Sequence, residues 1–375
     1  MTADQQVKLS GSALIKVLLV TGSYPPMRCG VGDYTAGLAR ALRDSGKARV
    51  AVLIGEDGEE DAGIEMIRIR GWSLRNALGA LRAVVKWKPD VVHLQFPTQG
   101  YRSDWLPWIL PLLLRLAHVR VVQTWHEIMP MGRRSLPLCF TAGAVVVVRP
   151  NYIESTAGWC RRFLAKRRIV FVPSAPSIPR AGLAENERAR LHAELAAGQD
   201  RVVSYFGFAY PHKGIEALFE VADPRRDRLV LICDLREGDP YHRLILNRCR
   251  NAPWDGKASV TGFLPAEEIA SVLSASDAVV LPFTGGGGDW NSSLQAAAIQ
   301  GVFVVTTSST ARGYDAKHNV HYCPPGDTAC MRSALESGIG RRIEPAGEAN
   351  REWARIAGAH LRVYGELLAP ASHYP

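Results

Sequence analysis

One stretch, residues 279–307, limits what this chain can fold into more than any other. It reads Val-Val-Leu-Pro-Phe-Thr-Gly-Gly-Gly-Gly-Asp-Trp-Asn-Ser-Ser-Leu-Gln-Ala-Ala-Ala-Ile-Gln-Gly-Val-Phe-Val-Val-Thr-Thr. The pattern predicts a buried strand over 278–281, a loop with four consecutive glycines, a short Ala-rich helix and a second buried strand over 302–306. In an α/β chain, such a unit places its loop at the carboxyl edge of a parallel sheet, where these folds bind ligands.

The glycine loop predicts an anion site rather than a flexible surface loop. Four glycines allow a ligand to approach the backbone closely. Asn291, Ser292 and Ser293 can cap the helix that follows, and Gly301 suits its C-terminal end. Free N–H groups at the start of a helix, together with the helix dipole, favour a negative charge there.

Length and composition are those of a globular protein with two domains. A chain of 375 residues is long enough for two separate cores. Its 22% charged and 47% hydrophobic residues are ordinary for such a protein. No apolar run reaches the roughly eighteen residues of a membrane span, and the polar start over 1–13 lacks a signal-peptide pattern. We therefore expect a cytoplasmic protein.

The cysteines predict reduced thiols and no zinc site. There are seven, an odd number, at positions 29, 139, 160, 233, 249, 323 and 330. None has the C-x-x-C spacing that is common in zinc sites and redox motifs. Scattered single cysteines are typical of a reducing compartment such as the cytoplasm.

The net charge of +9 is unevenly distributed along the chain. Residues 1–180 hold 25 Lys and Arg against 13 Asp and Glu, a balance of +12, whereas residues 181–375 hold 20 against 23, a balance of −3. A basic N-terminal half predicts an anionic partner. A phospholipid surface, a lipid pyrophosphate, an acidic saccharide and a nucleic acid all fit this charge.

Strands and helices alternate twice along the chain. In the first half, apolar strands are predicted over 16–20, 49–54, 64–70, 90–95, 119–124, 144–148 and 169–172. A helix over 101–117 carries Trp105 and Trp108; we expect it to face the core rather than a membrane. The Pro- and Ala-rich segment 173–198 is the predicted linker.

The second half repeats this order. Strands are predicted over 202–206, 228–233, 259–262, 278–281 and 302–306. Segment 321–327 leads to a predicted helix over 328–337, and a final amphipathic helix is predicted over 348–368. The fold class is therefore α/β, with two doubly wound, Rossmann-like domains facing each other across a cleft.

Polar residues and glycines follow several of these predicted strands: Gly30, Gln95, His126, Lys213 and the loop 285–293. Gly30 and Gly32 come too late after their strand to form a dinucleotide fingerprint. Lys213 lies seven residues after a strand and just before a helix, so its ammonium group can reach a phosphate. P-loop, G-x-S-x-G and H-E-x-x-H motifs are absent, as is a D-x-D-like carboxylate pair near the glycine loops.

Taken together, these features resemble a known family over almost the whole chain. They are Gly-Val-Gly-Asp-Tyr-Thr at 30–35, Asp-Val-Val-His-Leu-Gln at 90–95, His126, Gly207 with Lys213-Gly214, Val-Thr-Gly-Phe-Leu at 260–264, Ala-Ser-Asp-Ala-Val-Val-Leu-Pro at 275–282, the helix–strand at 296–307 and the final helix at 353–368. The chain resembles the GT-B-fold, nucleotide-sugar-dependent glycosyltransferases of family 4.

The resemblance implies a donor domain at 199–347 and an acceptor domain at 1–178, against which the final helix, 352–368, packs. It implies transfer with retention at the anomeric carbon, no essential metal, and no cofactor besides the nucleotide-sugar donor. Lys213 would hold the diphosphate, Gly30 would border sugar and phosphate, and His126 would lie beside the donor sugar. The amides of 286–293 would cradle phosphate and sugar.

The residue assignments that follow from the resemblance are catalytic roles for His126 and Lys213, and donor binding for a larger set. That set is Gly30, Gly32, Gln95, Gly207, Gly262, Phe263, Gly286, Gly287, Gly288, Asp289, Asn291, Ser292, Ser293 and Gln295. No residue is assigned to a metal.

Three positions depart from the family pattern. Phe208 stands where the family has an arginine, and Gly287 and Gln295 stand where it has two glutamates eight residues apart. Gln295 can still hydrogen-bond a ribose, and Asp289 can replace the missing acceptor for sugar hydroxyls. A side chain introduced at Gly287 is expected to meet the donor sugar.

The leading hypothesis is a cytoplasmic glycosyltransferase that extends a saccharide, lipid-linked at the inner membrane face, in bacterial-type cell-surface polysaccharide or glycolipid synthesis. Its expected partners are a nucleotide sugar, a saccharide or lipid-linked acceptor and an anionic membrane surface, but no nucleic acid. Two alternatives remain. One is a catalytically silent GT-B protein that binds a nucleotide sugar or glycan, and the other is a nucleotide-sugar epimerase.

Overall fold

The computed structural model describes residues 14–55, 58–127, 133–150, 152–156, 158–165, 167–288, 290–344 and 349–369. The chain forms two compact units. Unit 1 comprises Met1–Pro173 together with Trp353–Pro375, and unit 2 comprises Ser174–Glu352.

Unit 1 is built on a parallel sheet. In its described part the strands are β1 Ile15–Val20, β2 Ala48–Ile54, β3 Glu65–Arg68, β4 Val91–Phe96, β5 Val121–Trp125, β6 Ala144–Val147 and β7 Arg168–Phe171. Their order across the sheet is β3-β2-β1-β4-β5-β6-β7, with parallel pairing throughout. Every residue of β4 and β5 is buried, as expected for strands covered on both faces.

Helices cover this sheet. They are α1 Gly30–Asp44, α2 Ala77–Trp87, α3 Leu106–Leu116, α4 Leu136–Thr141, α5 Gly158–Leu164 and the last helix of the chain, α12 Ala349–Leu368. The helix predicted over 101–117 is thus shorter than expected. Leu106, Leu110 and Leu114 are buried along one side of α3, whereas Leu112 and Leu116 are exposed.

Unit 2 repeats the architecture. Its strands are β8 Arg201–Phe206, β9 Asp227–Ile232, β10 Ala258–Val260, β11 Ala278–Leu281, β12 Phe303–Thr307, β13 Gly313–Asp315 and β14 Val320–Cys323. Its helices are α6 Glu185–Ala196, α7 Leu218–Val221, α8 Pro240–Arg250, α9 Ala266–Ala275, α10 Ser292–Ala298 and α11 Thr328–Gly338. The sheet order is β10-β9-β8-β11-β12-β14-β13, and only the β13–β14 pairing is antiparallel.

Both sheets are doubly wound, as predicted. In each, the chain moves outward from the first strand in one direction and then returns to the other side of it, so the order reverses between β1 and β4 and between β8 and β11. A crevice forms at such a reversal outside the carboxyl ends of the strands. The fold therefore selects the loops that follow β1, β4, β8 and β11 as candidate binding elements.

Two elements were not predicted. Within the predicted linker, residues 185–196 form α6, whose His192 imidazole contacts the Asp277 carboxylate at 2.7 Å in unit 2. Its mostly exposed, charge-rich surface lacks the apolar period that identifies a helix from sequence. Segment 321–327 begins within strand β14, which is only four residues long and has a short antiparallel neighbour.

The final helix packs on unit 1, as expected. The Trp353 ring lies against Gly37 of α1 so closely that a Cβ at position 37 would overlap it. Tyr364, which is fully buried, donates or accepts a 2.6 Å hydrogen bond with His93 Nδ1 on β4. Glu366 forms an ion pair with Arg168 on β7. Within the described residues, no helix is long and apolar enough to cross a membrane.

We predict that alanine at two helical glycines has opposite effects. Gly37→Ala should lower the free energy of unfolding by about 1–3 kcal/mol, because the added methyl group overpacks the Trp353 contact. Gly79→Ala in α2 meets no described atom within 4 Å, so it should stabilise by up to about 1 kcal/mol through helix propensity. Urea unfolding measures both, and equal shifts would contradict this docking of α12.

Candidate functional site

The two loops at the reversal point of unit 2 form one connected structure. The first, residues 207–214, follows β8, and the second, residues 282–291, follows β11. Thr284 donates to the His212 carbonyl from both its N–H, at 3.1 Å, and its hydroxyl, at 3.2 Å. Gly214 has a φ of 63°, and a Cβ there would collide with the Pro282 carbonyl. Only glycine permits this close approach of the two loops.

Lys213 is held in place by this arrangement. It ends a short 3₁₀ turn, Pro211–Lys213, and its N–H donates to the Tyr210 carbonyl at 2.8 Å. Its Nζ lies 4.8 Å from the centroid of the Phe283 ring, which is buried. A cation above an aromatic face is attracted by the ring quadrupole. The ammonium group of Lys213 is therefore positioned beside the glycine loop rather than free to move as a surface lysine.

The structure corrects the expectation for Gly287. A Cβ at this position would lie 2.5 Å from Phe283 Cδ2 and 2.8 Å from Cε2, so it points into the unit's own packing. A larger residue would thus collide with Phe283 before it met a sugar. Gly287 is needed because the loop lies directly on the aromatic ring that also contacts Lys213.

The prediction that the amides of 286–293 cradle an anion is also corrected in part. The N–H groups of Gly286, Gly287 and Asn291 donate to the carbonyls of Phe283, Thr307 and Gly288, at 3.1, 2.6 and 2.8 Å. Asn291 Oδ1 caps α10 by accepting from Ser293 N at 3.0 Å and Leu294 N at 3.4 Å. Because these donors are paired within the protein, Lys213 is the better candidate for binding an anion at this loop.

Gln295 is engaged elsewhere in unit 2. Its Nε2 donates to the Ser174 carbonyl at 2.8 Å, and its Oε1 accepts from the Ser174 hydroxyl at 3.4 Å. The same hydroxyl also donates to the Trp290 carbonyl at 3.0 Å. These bonds fix the orientation of the Gln295 amide and use one N–H and one lone pair of its oxygen.

The other predicted donor residues of unit 2 are distributed around the same edge. Gly207 adjoins Ser293, since a Cβ at 207 would lie 2.8 Å from Ser293 Oγ. Gly288 lies against the Trp290 ring, and Ser292 begins α10 as an exposed residue. Gly262 and the exposed Phe263 follow β10, which is separated from β8 by β9. Asp289 lies outside the described residues.

In unit 1, Gln95 and His126 meet at the ends of β4 and β5. The backbone N–H of His126 donates to the Phe96 carbonyl at 2.9 Å, and the imidazole Nε2 of His126 lies 2.9 Å from Gln95 Oε1. Tyr34 of α1 packs edge-on against the imidazole, with ring centroids 4.7 Å apart. The Nε2 of the fully buried Gln95 has no hydrogen-bond partner among the described residues.

The two glycines at the start of α1 have different roles. Gly32 packs on the Ser23 backbone, where a Cβ would lie 3.1 Å from the carbonyl carbon and oxygen. Gly30 faces open space, because a Cβ there would meet no described atom within 4 Å. Cys29 provides no side-chain cap for α1. The N-terminus of α1 is thus more open to an anion than that of α10, which Asn291 caps.

Behind His126 lies a buried histidine cluster. His93 Nε2 is 2.7 Å from the Thr124 hydroxyl, and its ring is 5.3 Å from that of His360 on α12. Burial lowers the pKa of all three histidines, to about 3 for His126 and about 4 for His360, and His360 contributes to the lowering for His93 and His126. Near pH 7, His126 is a neutral imidazole that can donate and accept hydrogen bonds but carries no charge.

Sequence reasoning missed the residues that support these side chains. Phe283, Thr284 and Tyr34 orient Lys213 and His126, and each could be suspected only from its place beside a predicted site residue. A cavity of 240 Å³ at the carboxyl edge of the first sheet was also missed. Its lining comes from several separate loops and includes Tyr24, Arg70, Trp72, Arg102 and Asp104.

Comparison with known proteins agrees with this geometry. Residues 29–203 match the family model of the glycosyl transferase 4-like domain. Sucrose-phosphate synthase from Thermosynechococcus elongatus is similar in structure, with a TM-score of 0.71, 17% identity and coverage of 94% of this chain and 99% of that one. The chain has the GT-B fold. No curated protein sequence matches it significantly.

Two further structures share the fold of this chain. The catalytic domain of starch synthase IV from Arabidopsis thaliana, bound to ADP and acarbose, has a TM-score of 0.72 at 13% identity, with 96% of this chain and 100% of that chain covered. HepE of Anabaena, in complex with UDP-glucose, has a TM-score of 0.65 at 14% identity, with 94% and 95% covered.

We predict that alanine at Gly287 disturbs the site, whereas alanine at Gly285 does not. Gly287→Ala should cost about 1–3 kcal/mol of stability because it displaces Phe283. Because Phe283 supports Lys213, the substitution should weaken the binding of a bare nucleoside diphosphate and of a sugar donor to the same extent. Gly285 has no described atom within 4 Å of a Cβ, which makes Gly285→Ala the control. Calorimetry with both ligands tests this, and selective loss of the sugar donor would contradict it.

The histidine cluster predicts acid sensitivity. Histidines of the unfolded chain bind protons below about pH 6.5, whereas His93 and His360 remain neutral in the fold, so stability falls as the pH drops through that value. Between pH 7.5 and 5, each fully buried histidine should remove about 2 kcal/mol. Urea unfolding at several pH values measures how steeply the free energy of unfolding changes with pH. In His360→Gln this dependence should be weaker by about one proton, and an unchanged dependence would contradict the assignment.

Proposed function

We propose that this glycosyltransferase moves a sugar from a nucleoside-diphosphate sugar to a saccharide acceptor, with retention and without a metal ion in the transfer step. The observation that carries the proposal is Lys213 on the Phe283 ring, beside the glycine loop at the reversal point of unit 2. The leaving nucleoside diphosphate gains negative charge as the glycosidic bond breaks. A fixed cation stabilises that charge without reorganisation at the moment of reaction.

Two observations support a nucleotide donor. HepE has been solved with UDP-glucose, and starch synthase IV with ADP, both on the same fold. In this chain, His126 offers a neutral imidazole against Tyr34 of α1, which suits hydrogen bonding to sugar hydroxyls. Retention is proposed from the resemblance to family 4.

The 240 Å³ cavity of unit 1 is the proposed acceptor site. It is lined by Arg70 and Arg102, and neither guanidinium group has an ion pair or hydrogen bond within the described part of the chain. The buried Nε1 of Trp72, which also lines the cavity, has no partner there either. A cavity with cationic groups and an unused N–H donor suits an acceptor rich in hydroxyl and acidic groups.

A lipid-linked acceptor on an anionic membrane surface is supported by the exterior of unit 1. Leu78 and Val85 of α2, and Leu112 and Leu116 of α3, are exposed, and α2 packs against α3. The two helices also carry Arg82, Lys86 and Arg115. Exposed apolar side chains together with cationic ones favour the surface of an anionic bilayer. We propose that the acceptor belongs to cell-surface polysaccharide or glycolipid synthesis.

One observation favours a second candidate, a GT-B protein that binds a nucleotide sugar without transferring it. In the loop that carries Lys213, Phe208 stands where the resemblance to family 4 leads us to expect a positively charged arginine. Ligand binding without turnover, with every plausible acceptor supplied, would favour this candidate.

We predict that Lys213→Ala lowers donor turnover about a hundredfold while the fold is kept, because one preorganised cation is lost from the developing phosphate charge. Lys317→Ala, which removes an exposed lysine of the same unit, is the matched control. Release of nucleoside diphosphate from UDP-, GDP- and ADP-sugars provides the assay, run in excess EDTA.

Two results would contradict this mechanism. Turnover of Lys213→Ala equal to that of Lys317→Ala would remove the lysine from the transfer step. Turnover that EDTA abolishes and Mg²⁺ or Mn²⁺ restores would show that a metal stabilises the leaving group instead.

The membrane proposal predicts co-sedimentation with anionic but not neutral liposomes, weakened by salt. Leu116→Glu should reduce binding, since it places a charge on the exposed apolar side of α3. Leu244→Glu, at an exposed leucine of unit 2, should have no effect. Liposome binding that changes neither with salt nor with Leu116→Glu would instead favour a soluble acceptor.

A further inference from the structure

Three potential metal ligands converge in unit 2, away from the Lys213 loop. His321 and Cys323 alternate with Val320 and Tyr322 along β14, so their side chains share one face of the strand. Cys330 lies in the first turn of α11. The donor atoms of the three residues lie within 4.8 Å of one another.

We propose that His321, Cys323 and Cys330 bind a zinc ion that stabilises unit 2 and takes no part in sugar transfer. Imidazole nitrogen and thiolate sulfur are the ligands zinc prefers, with Zn–N near 2.0–2.1 Å and Zn–S near 2.3 Å. Tetrahedral geometry then separates neighbouring donors by about 3.5–3.8 Å. The three atoms already satisfy this spacing to within about an ångström, so small side-chain rotations would close the site.

Charge and exposure agree with this ion. Burial lowers the pKa of His321, and Arg341 lowers it further, so the imidazole is neutral near pH 7 and has a lone pair for a metal. Two thiolates would neutralise the 2+ charge, so the nearby Arg312 and Arg341 do not oppose the bound state. His321 and Cys330 are only partly buried, which leaves room for a water as fourth ligand.

Zinc binds cysteine as the thiolate, so binding at this site should release the thiol protons and become stronger as the pH rises.

The proposed site also supports the glycine loop indirectly. The Ser308 N–H donates to the Cys323 carbonyl at 2.8 Å, which joins the end of β14 to the segment after β12. Gly286 lies against that segment, since a Cβ there would be 2.8 Å from the Ser309 nitrogen. An ion that fixes β14 to α11 would thus stabilise the support of the loop without contacting a donor.

The spacing H-x-C followed by a cysteine seven residues later does not match the C-x-x-C pattern, which is why the sequence argued against zinc. The three ligands come together only because a strand presents alternate residues on one face and the next helix begins above it.

The test is zinc and cobalt binding to the full-length, fully reduced protein after removal of bound metal. We expect one equivalent of zinc per chain, a higher melting temperature with zinc, and a cobalt complex with thiolate-to-cobalt charge-transfer absorption and intense tetrahedral visible bands. Cys330→Ser should keep the fold, because serine is well tolerated in the first turn of a helix. It should lower the affinity for zinc by more than the roughly 10–100-fold that is lost when a residue hydrogen-bonded to a metal ligand is removed.

Cys249→Ser is the matched control, because Cys249 is a buried thiol of the same unit that lies close to another cysteine, Cys233. It should bind zinc and cobalt as the unmodified protein does. His321→Gln provides a second variant, which should abolish the tetrahedral cobalt spectrum. Equal zinc affinity in Cys330→Ser and Cys249→Ser would overturn the proposal, as would a cobalt complex without thiolate absorption. Neither result depends on whether the protein transfers a sugar.

Discussion

The close contact between two backbone loops is the constraint on which the proposed donor site depends. Strand order places the segments after β8 and β11 side by side, and the hydrogen bonds from Thr284 to the His212 carbonyl join them. Gly214 allows the approach because no Cβ stands between the loops. The position of Lys213 follows from this junction rather than from the flexible lysine side chain alone. The proposed electrostatic catalysis therefore depends on the packing of the two loops.

Phe283 connects the packing of the glycine loop with the charge of the site. One edge of its ring contacts the backbone at Gly287, and Lys213 lies over its face. A substitution at Gly287 therefore acts on the lysine through the ring. The loop lies so close to Phe283 that a side chain at position 287 would displace the ring.

In unit 1, the final helix completes the environment of His126. His360 and Tyr364 of α12 surround His93, and these buried groups contribute to the desolvation that keeps the histidines neutral. Trp353 packs both on Gly37 and near Tyr34, which in turn touches the His126 ring. The helix thus affects the proposed sugar-binding imidazole without contacting a substrate, and its docking can be measured through the stability of unit 1.

The sequence alone determined the two doubly wound units and the strand ends that carry Gln95, His126 and Lys213, because apolar strands and their flanking turns have a short, readable period. The packing of the last helix on unit 1 was expected only from the resemblance to family 4. The sequence could not determine that a side chain at position 287 would point toward Phe283, or that Gln295 hydrogen-bonds Ser174. Nor could it determine that the Asn291 side chain accepts hydrogen bonds from the first amides of α10. Each of these depends on backbone dihedrals and on packing partners, several of them distant in the chain. For the same reason, the sequence did not predict that His321, Cys323 and Cys330 lie close together. Residue spacing describes local geometry, whereas the contact between a strand face and the first turn of the following helix is decided only when the sheet is assembled.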